Sequence, residues 1–517
     1  MMKPTPRYLL TAVFLGCLLV LTAPARDGLQ SSSTVRALDA ASSESQKYQQ
    51  GGSYNPYTGG YVRKRGYNPY TGAGSRNTTV NPFTGRKTPG QPTINPFTGK
   101  AIPRKTSRNP ITGQYQSGLS TNRPGTVTTR WPEAKSPITG KAGPGLEAFD
   151  KAVLSLMKRH GIPGASLAIA KDGKLVYAKG FGWADLRAGF AVDPETMFAL
   201  GSLSKPITAM AIMLLVEQEK LRLDDYVFEI LKHIRPPGGF GQSDPRWKKV
   251  TVRQLLNHSG GWDRQKSGDP INWEAGIARA LKVPVPISDT QFISFMLTQK
   301  VDFEPGSQMS YSNIGYILLG EIIEKVGGEP YETFVRKNIL KRAGVVRTAT
   351  NSLDRSYQTN EAHRYLSGAS TELPPMGLPF VAAAGGWRLS SVDMVRILTA
   401  YDGSRGAPLL KNKTYQQMLA PPPPPIKPKK NGAYNGLGWP LVAIRKEGST
   451  YIHDGLFHGV RTFAKRSEKG INWALFFNVS MQPDQVDAKI IEYAIEEVRH
   501  EVESLEKYPD IDLFGEF

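Results

Sequence analysis

Residues 199–210 read ALGSLSKPITAM, with Ser202 and Lys205 three positions apart. At the start of a helix, that spacing puts both side chains on one face. Ser202 then lies near the positive end of the helix dipole. A lysine held beside a serine and partly desolvated can lose its proton near neutral pH and activate the hydroxyl. The same letters also arise by chance, as an N-cap serine and a surface lysine. The residues that follow argue against a surface lysine. Ile207, Ala209, Met210, Ile212, Met213, Leu214, Leu215 and Val216 make the helix predicted over 202–221 nearly all apolar, hence buried.

Two further stretches carry chemistry. EPGSQMSYSNIGYILLGEII (304–323) places Tyr311 and Asn313 just before a second apolar helix. A loop-to-helix junction can direct a phenol and an amide into one cleft, or simply hold an aromatic anchor and an N-cap. YIHDGLFHG (451–459) holds two of the chain's seven histidines. A metal site at His453 and His458 is disfavoured. Five residues apart on a strand, they point to opposite faces, and no third ligand has a recognisable spacing. His458 reads as a supporting histidine and His258, in LLNHSGGW, as a loop brace.

The surrounding pattern is α+β. Apolar spacing at Leu146, Phe149, Val153 and Leu156 predicts a helix over 146–160. ASLAIAKDGKLVYAKGFG predicts two strands joined at Asp172-Gly173. Near the end, INWALFFNVS predicts a buried strand, and a helix follows with Ile491, Ile495, Val498, Val502 and Leu505 on one face. Strands at both ends around a helical middle imply a sheet assembled from distant segments. PPPPPIKP (421–428) reads as a surface polyproline loop.

In this order and spacing, the three stretches resemble the serine β-lactamase and penicillin-binding-protein superfamily, specifically its class C-type branch. VTVRQLLNHSGGW (250–262), AAAGGWRLSSVDMVRIL (382–398) and NGLGWPL (435–441) extend the resemblance over about residues 146–500. It implies an antiparallel sheet flanked by helices plus an all-helical subdomain, with the site at their junction. It also implies roles. Ser202 attacks a carbonyl and forms an acyl-enzyme. Lys205 and Tyr311 share the proton, and Tyr311 activates the deacylating water. Asn313 orients Lys205 and binds the substrate amide. Gly455 lets substrate lie along the strand, and the N–H groups of Ser202 and Leu456 form the oxyanion hole. His453 stands where β-lactamases have lysine. With an unperturbed pKa near 6.5, an imidazole is a weaker, pH-dependent cation. Relatives with His-x-Gly include esterases and D-amino-acid peptidases. The expected activity is therefore hydrolysis of an ester or a D-amino-acid peptide bond, with no cofactor or metal. The alternatives are a β-lactamase and a non-catalytic cell-wall peptide-binding protein.

The chain opens MMKPTPRYLLTAVFLGCLLVLTAPARDG. Basic Lys3 and Arg7, an apolar run from Tyr8 to Thr22 and Ala23-Pro24-Ala25 read as a secretory signal peptide over 1–25. Cys17 is the chain's single cysteine, so no disulfide or thiol chemistry is expected after cleavage. No other apolar run is long enough to span a membrane. The expected location is extracytoplasmic.

Residues 26–145 read as a disordered basic arm. The phrase Asn-Pro-Tyr-Thr-Gly or a close variant begins at Asn55, Asn68, Asn81, Asn95, Asn109 and Ser136. Each copy is a turn with one aromatic or Ile, too little apolar surface to offset the entropy of ordering. From Lys47 to Gly145 there are 15 Lys and Arg against one acid, Glu133, so the arm carries most of the net charge of +20. Such a tail suits a cell-wall polymer or anionic surface, or acts as a solvated spacer. Export disfavours nucleic acid as its partner. Residues 146–517 then form the hydrolase domain.

Overall fold

The structure is a computed structural model of the chain. It describes residues 136–517 except 240–242, 351–355, 367–371, 376, 430, 447 and 481–487, together with three short strand pairs upstream. Two of those pairs, Gly52–Asn55 with Gly60–Arg63 and Thr79–Val80 with Lys87–Thr88, flank a copy of the repeated phrase. The other residues before 136, over which a signal peptide and arm are expected, lie outside the described residues.

The core is an antiparallel sheet built from both ends of the domain. Its strands are β1 (Ile138–Ala142), β2 (Gly164–Lys171), β3 (Lys174–Asp185), β4 (Leu441–Arg445), β5 (Gly448–Phe457), β6 (Val460–Arg466) and β7 (Ile471–Phe477). The order runs β1-β3-β2-β7-β6-β5-β4, and Phe190–Ala191 also pairs with β3. The β2–β3 hairpin turns at Asp172 (φ 49°) and Gly173 (φ 82°), the left-handed pair that a tight hairpin requires. β1 was not expected. Its residues belong to the last repeat copy, assigned above to the arm, yet they pair with Tyr177–Phe181 of β3. The folded domain therefore begins before residue 146.

Side chains alternate across β2 with period two, and both faces are covered. Ala165, Leu167 and Ile169 enter one core with helices α1 (Glu147–His160) and α5 (Ala488–Ser504). Ala168 and Ala170 enter a second, larger core on the opposite face. There, α4 (Ser391–Tyr401) lies on β2 and β7. A helical subdomain completes this second core. It includes α3 (Asn313–Gly327) and shorter helices Val252–Leu256, Glu274–Leu281 and Asp289–Met296. Helix α2 (Ser204–Glu217) runs through the middle of it. Every residue from Ser204 to Leu215 is buried, as its nearly all-apolar composition predicted. Among the described residues, no helix is long and apolar enough to cross a membrane.

Candidate active site

The site gathers where three pieces of backbone meet. A 3₁₀ turn over Gly201–Leu203 delivers Ser202 just ahead of α2. Tyr311 precedes α3, and Asn313 is its first residue. β5 carries His453, Gly455 and Leu456 along the open side of the turn. All seven predicted residues come from these pieces.

Close packing makes one glycine necessary. A Cβ on Gly455 would stand 1.9 Å from the Leu200 carbonyl oxygen and 2.2 Å from Thr462 Oγ1. Thr462 Oγ1 itself donates to that carbonyl at 2.7 Å, which pins β6 to the nucleophile turn. Gly201 adopts φ 54°, and a Cβ there would lie 3.3 Å from Leu456 N. The Leu456 N–H thus sits beside the Ser202 turn, while its side chain faces outward, 41% exposed.

Lys205 is fully buried, with 0% exposure. Its Nζ donates to Ser202 Oγ at 3.1 Å, to Asn313 Oδ1 at 2.7 Å and to the Ala384 carbonyl at 2.6 Å. Burial pushes the amine down to about 7; Asp269 and Asp454 oppose that, and Arg264 adds to it. At neutral pH a large fraction of Lys205 is therefore the free base. The Tyr311 hydroxyl is buried and, among the described residues, has no hydrogen bond of standard geometry. Burial raises its pKa well above the ordinary phenol value, although Ser202 and Arg264 pull the other way. Tyr311 thus rests as a neutral phenol. Its ring packs against that of His258, tilted by 32° with centroids 4.4 Å apart. His258 (φ 63°) accepts from Ser312 N at 3.3 Å through Nδ1, which makes it the loop brace expected from sequence.

His453 departs from the sequence expectation of a pH-dependent cation. It is 1% exposed, and burial lowers its pKa to about 4. Lys205 also disfavours its charge, whereas Asp454 favours it. Its Nδ1 lies 2.7 Å from the Asp454 carbonyl, which can only accept, so Nδ1 bears the proton and Nε2 a lone pair. Nε2 has no partner. The residue is a neutral acceptor where a lysine would be a cation. Asp454 pairs with Arg461 rather than with the histidine. His458 contributes its carbonyl to buried Arg364 at 2.6 Å, a supporting contact.

Three contributors were missed by sequence reasoning. Asp269 Oδ2 accepts from Asn313 Nδ2 at 2.7 Å, so a buried carboxylate fixes the amide that holds Lys205. Burial raises the Asp269 pKa, against Arg264, Asn313 and Lys205. The Ala382–Gly386 turn presents two carbonyls to α2: Ala384 to Lys205, and Ala383 to Thr208 Oγ1 at 2.7 Å. Arg264 lies over the Tyr311 ring, 4.9 Å from its centroid. An Asp-Pro step at a helix entrance was the only sequence signal for Asp269. A backbone carbonyl leaves none.

A buried lysine, a buried phenol and a backbone N–H thus lie around one serine, a geometry suited to acyl transfer. Comparison with known proteins agrees. The family model described as Beta-lactamase matches residues 149–496. The chain is 32% identical over 331 residues to Penicillin-binding protein 4* of Bacillus subtilis (strain 168), covering 60% of this chain and 67% of that protein. The octameric penicillin-binding protein homologue from Pyrococcus abyssi is 28% identical, with TM-score 0.54, over 68% of this chain and 76% of that one. D-amino acid amidase from Ochrobactrum anthropi SV3 aligns with TM-score 0.55 over 69% of this chain and 99% of that one. At 22% identity, it supports the fold alone.

Proposed function

The chain belongs to the β-lactamase family of serine hydrolases, and from that premise we propose that it is an exported class C-type hydrolase of an ester or a D-amino-acid peptide or amide bond. The observation that carries the reading is the buried Lys205 amine, pushed down to about 7 and 3.1 Å from Ser202 Oγ.

In the proposed cycle, neutral Lys205 takes the Ser202 proton as Oγ attacks the carbonyl carbon. The N–H groups of Ser202 and Leu456 receive the oxyanion. The C–O or C–N bond breaks, and the proton passes through Tyr311 to the leaving group. Water then attacks the acyl-enzyme, giving its proton back along Tyr311 and Lys205 to Ser202 as the acid departs. Because Tyr311 rests as a phenol, Lys205 is the resting base and Tyr311 the relay. Asn313 and Asp269 keep the Lys205 lone pair aimed at Oγ.

Neutral His453 argues against β-lactam hydrolysis as the main activity, since a cation for the drug's carboxylate is missing at that position. The leader sequence supports export. The basic arm is proposed to tether the domain to an anionic wall polymer.

The test is to incubate the protein separately with a labelled penicillin, a short-chain nitrophenyl ester and a D-Ala-D-Ala peptide, with Ser202→Ala as control. Turnover and intact mass are followed. Ser202-dependent turnover of the ester or peptide, with an acyl mass on wild type only, is expected. No difference between wild type and Ser202→Ala would leave the binding-protein reading in its place.

A further inference from the structure

One group of side chains outside the serine site has no part in the proposed cycle. Asp185 ends β3. His363 stands just before a short strand, Arg364–Leu366, and Glu372 opens the strand that pairs with it, Glu372–Leu373. One nitrogen or oxygen from each of the three lies within 4.8 Å of the other two. His363 Nδ1 is 3.0 Å from Glu372 Oε1 and 3.5 Å from Asp185 Oδ2. Asp185 and His363 are mostly covered, and Glu372 sits at the rim.

Two of the three side chains are fixed by contacts of their own. Asp185 Oδ1 accepts from Arg187 N at 2.8 Å and Ala188 N at 3.0 Å, which leaves Oδ2 for His363. His363 N donates to the Ala184 carbonyl at 2.8 Å, so its backbone is registered beside β3. Its ring stacks on Tyr357, with centroids 3.9 Å apart and planes at 15°. The Tyr357 hydroxyl donates to the Leu373 carbonyl at 2.6 Å and accepts from Arg364 N at 3.0 Å, which ties down the neighbours of Glu372 and His363.

His363 Nδ1 is nevertheless buried and, among the described residues, makes no hydrogen bond. The Glu372 oxygen is near enough for one but not aligned as one. Off-axis oxygens suit a metal. The ion takes the direction of the ring nitrogen's lone pair, and the oxygens take other corners. Bonds of about 2.0–2.2 Å put the corners of a tetrahedral Zn²⁺ site about 3.3–3.6 Å apart, close to the spacings here. Charge agrees. Arg364 is turned to the carbonyls of His458, at 2.6 Å, and Pro374. Arg388 pairs with Glu361 at 2.9 Å, and Glu361 also interacts electrostatically with His363, adding negative charge nearby.

We propose that Asp185, His363 and Glu372 bind one divalent transition-metal ion, above all Zn²⁺, with water at the fourth corner on the open rim. One imidazole and two carboxylates suit that ion. Sequence reasoning expected no metal, because the three ligands come from separate stretches with no ligand spacing. The ion's role is structural. It clamps the short strand pair to β3, and that pair backs the turn between β5 and β6. A Cβ on Gly459 of this turn would stand 2.7 Å from Arg364 Cβ and 2.9 Å from Leu373 Cδ1.

The experiment uses the full chain without an affinity tag, stripped with chelator. Binding of ZnCl₂ is measured by calorimetry, and Co²⁺ absorption reports the ligand geometry. One equivalent of Zn²⁺ should bind, Co²⁺ should give the visible bands of a four-coordinate site, and Zn²⁺ should raise Tm by several degrees, reversibly with EDTA. Glu372→Gln and Asp185→Asn should each weaken binding by about 10- to 100-fold or more, at least the loss that an outer-shell change brings. Both should fold: Glu372 is at the rim, and an asparagine keeps the oxygen that Arg187 N and Ala188 N need. His233→Gln, at an exposed histidine elsewhere, should bind as wild type does. Absence of Zn²⁺ binding in wild type, or equal affinity in wild type and both ligand variants, overturns the proposal and leaves a histidine ion-paired with two carboxylates.

Discussion

Lys205 is fully buried, within hydrogen-bond distance of Ser202 Oγ, Asn313 Oδ1 and the Ala384 carbonyl, and in the proposed cycle its protonation sets the acid limb of the reaction. In that cycle the base is the neutral amine. Activity should therefore rise with pH, with kcat/KM for a neutral ester levelling off above about 7. Asp269 raises the Lys205 pKa, so Asp269→Asn should move that limb toward lower pH while an amide still holds Asn313. A pH–rate profile of the two proteins decides the matter, and a limb that stays in place would remove Asp269 from the proton economy. Motif spacing made Ser202, Lys205, Tyr311 and Asn313 legible in the sequence. It did not reveal that His453 is neutral, because burial, not residue type, fixes that protonation state. Asp269 and Arg264 sit in an irregular loop, with no periodicity to mark them.

At the level of elements, the active site depends on how closely β5 approaches the turn before α2. Gly455→Ala places a methyl group inside contact distance of the Leu200 carbonyl and Thr462 Oγ1. The strand must then move away, taking Leu456 N with it. Loss of about 100-fold or more in kcat is expected, in line with removal of one oxyanion donor. Circular dichroism should show a retained fold; normal turnover in Gly455→Ala would deny β5 that role. Thr462→Val removes the pin from the other side and leaves the Leu200 carbonyl only the long bond from Leu203 N at 3.4 Å, at a cost of about 1 kcal/mol in a denaturant titration. The strands, their hairpin and the main helices were legible, because alternation and apolar spacing are local signals. β1 was hidden. Its sequence repeats the phrase of the arm, and only pairing with β3 distinguishes this copy from the others.

For the whole molecule, β1 gives a sharp expectation about truncation. A chain starting at residue 136 keeps β1 and should keep wild-type kcat. One starting at residue 146 strips the edge of β3 and should melt several degrees lower, measured by calorimetry. Identical melting of the two would show that β1 adds nothing to stability. Acid sensitivity also belongs to this scale. The His453 pKa falls from 6.5 unfolded to about 4 folded. Its contribution to stability is therefore complete above pH 6.5 and is lost as pH falls toward 4, reaching about 3 kcal/mol at most. His258, also lowered, adds in the same direction. His453→Asn should flatten the decline of Tm between pH 7 and 4.5; an unaltered decline would assign it to other groups.

The pairing of β2 with β7 joins segments about 300 residues apart, so the folding clock of this protein runs on long-range contacts. A ribosome must release β7 before the central sheet can close. Until then the α2 segment, nearly all apolar, enters a core that lacks its sheet side. Folding should be slow, post-translational and prone to aggregation, and a chaperone that shields the α2 segment should raise the yield of refolding.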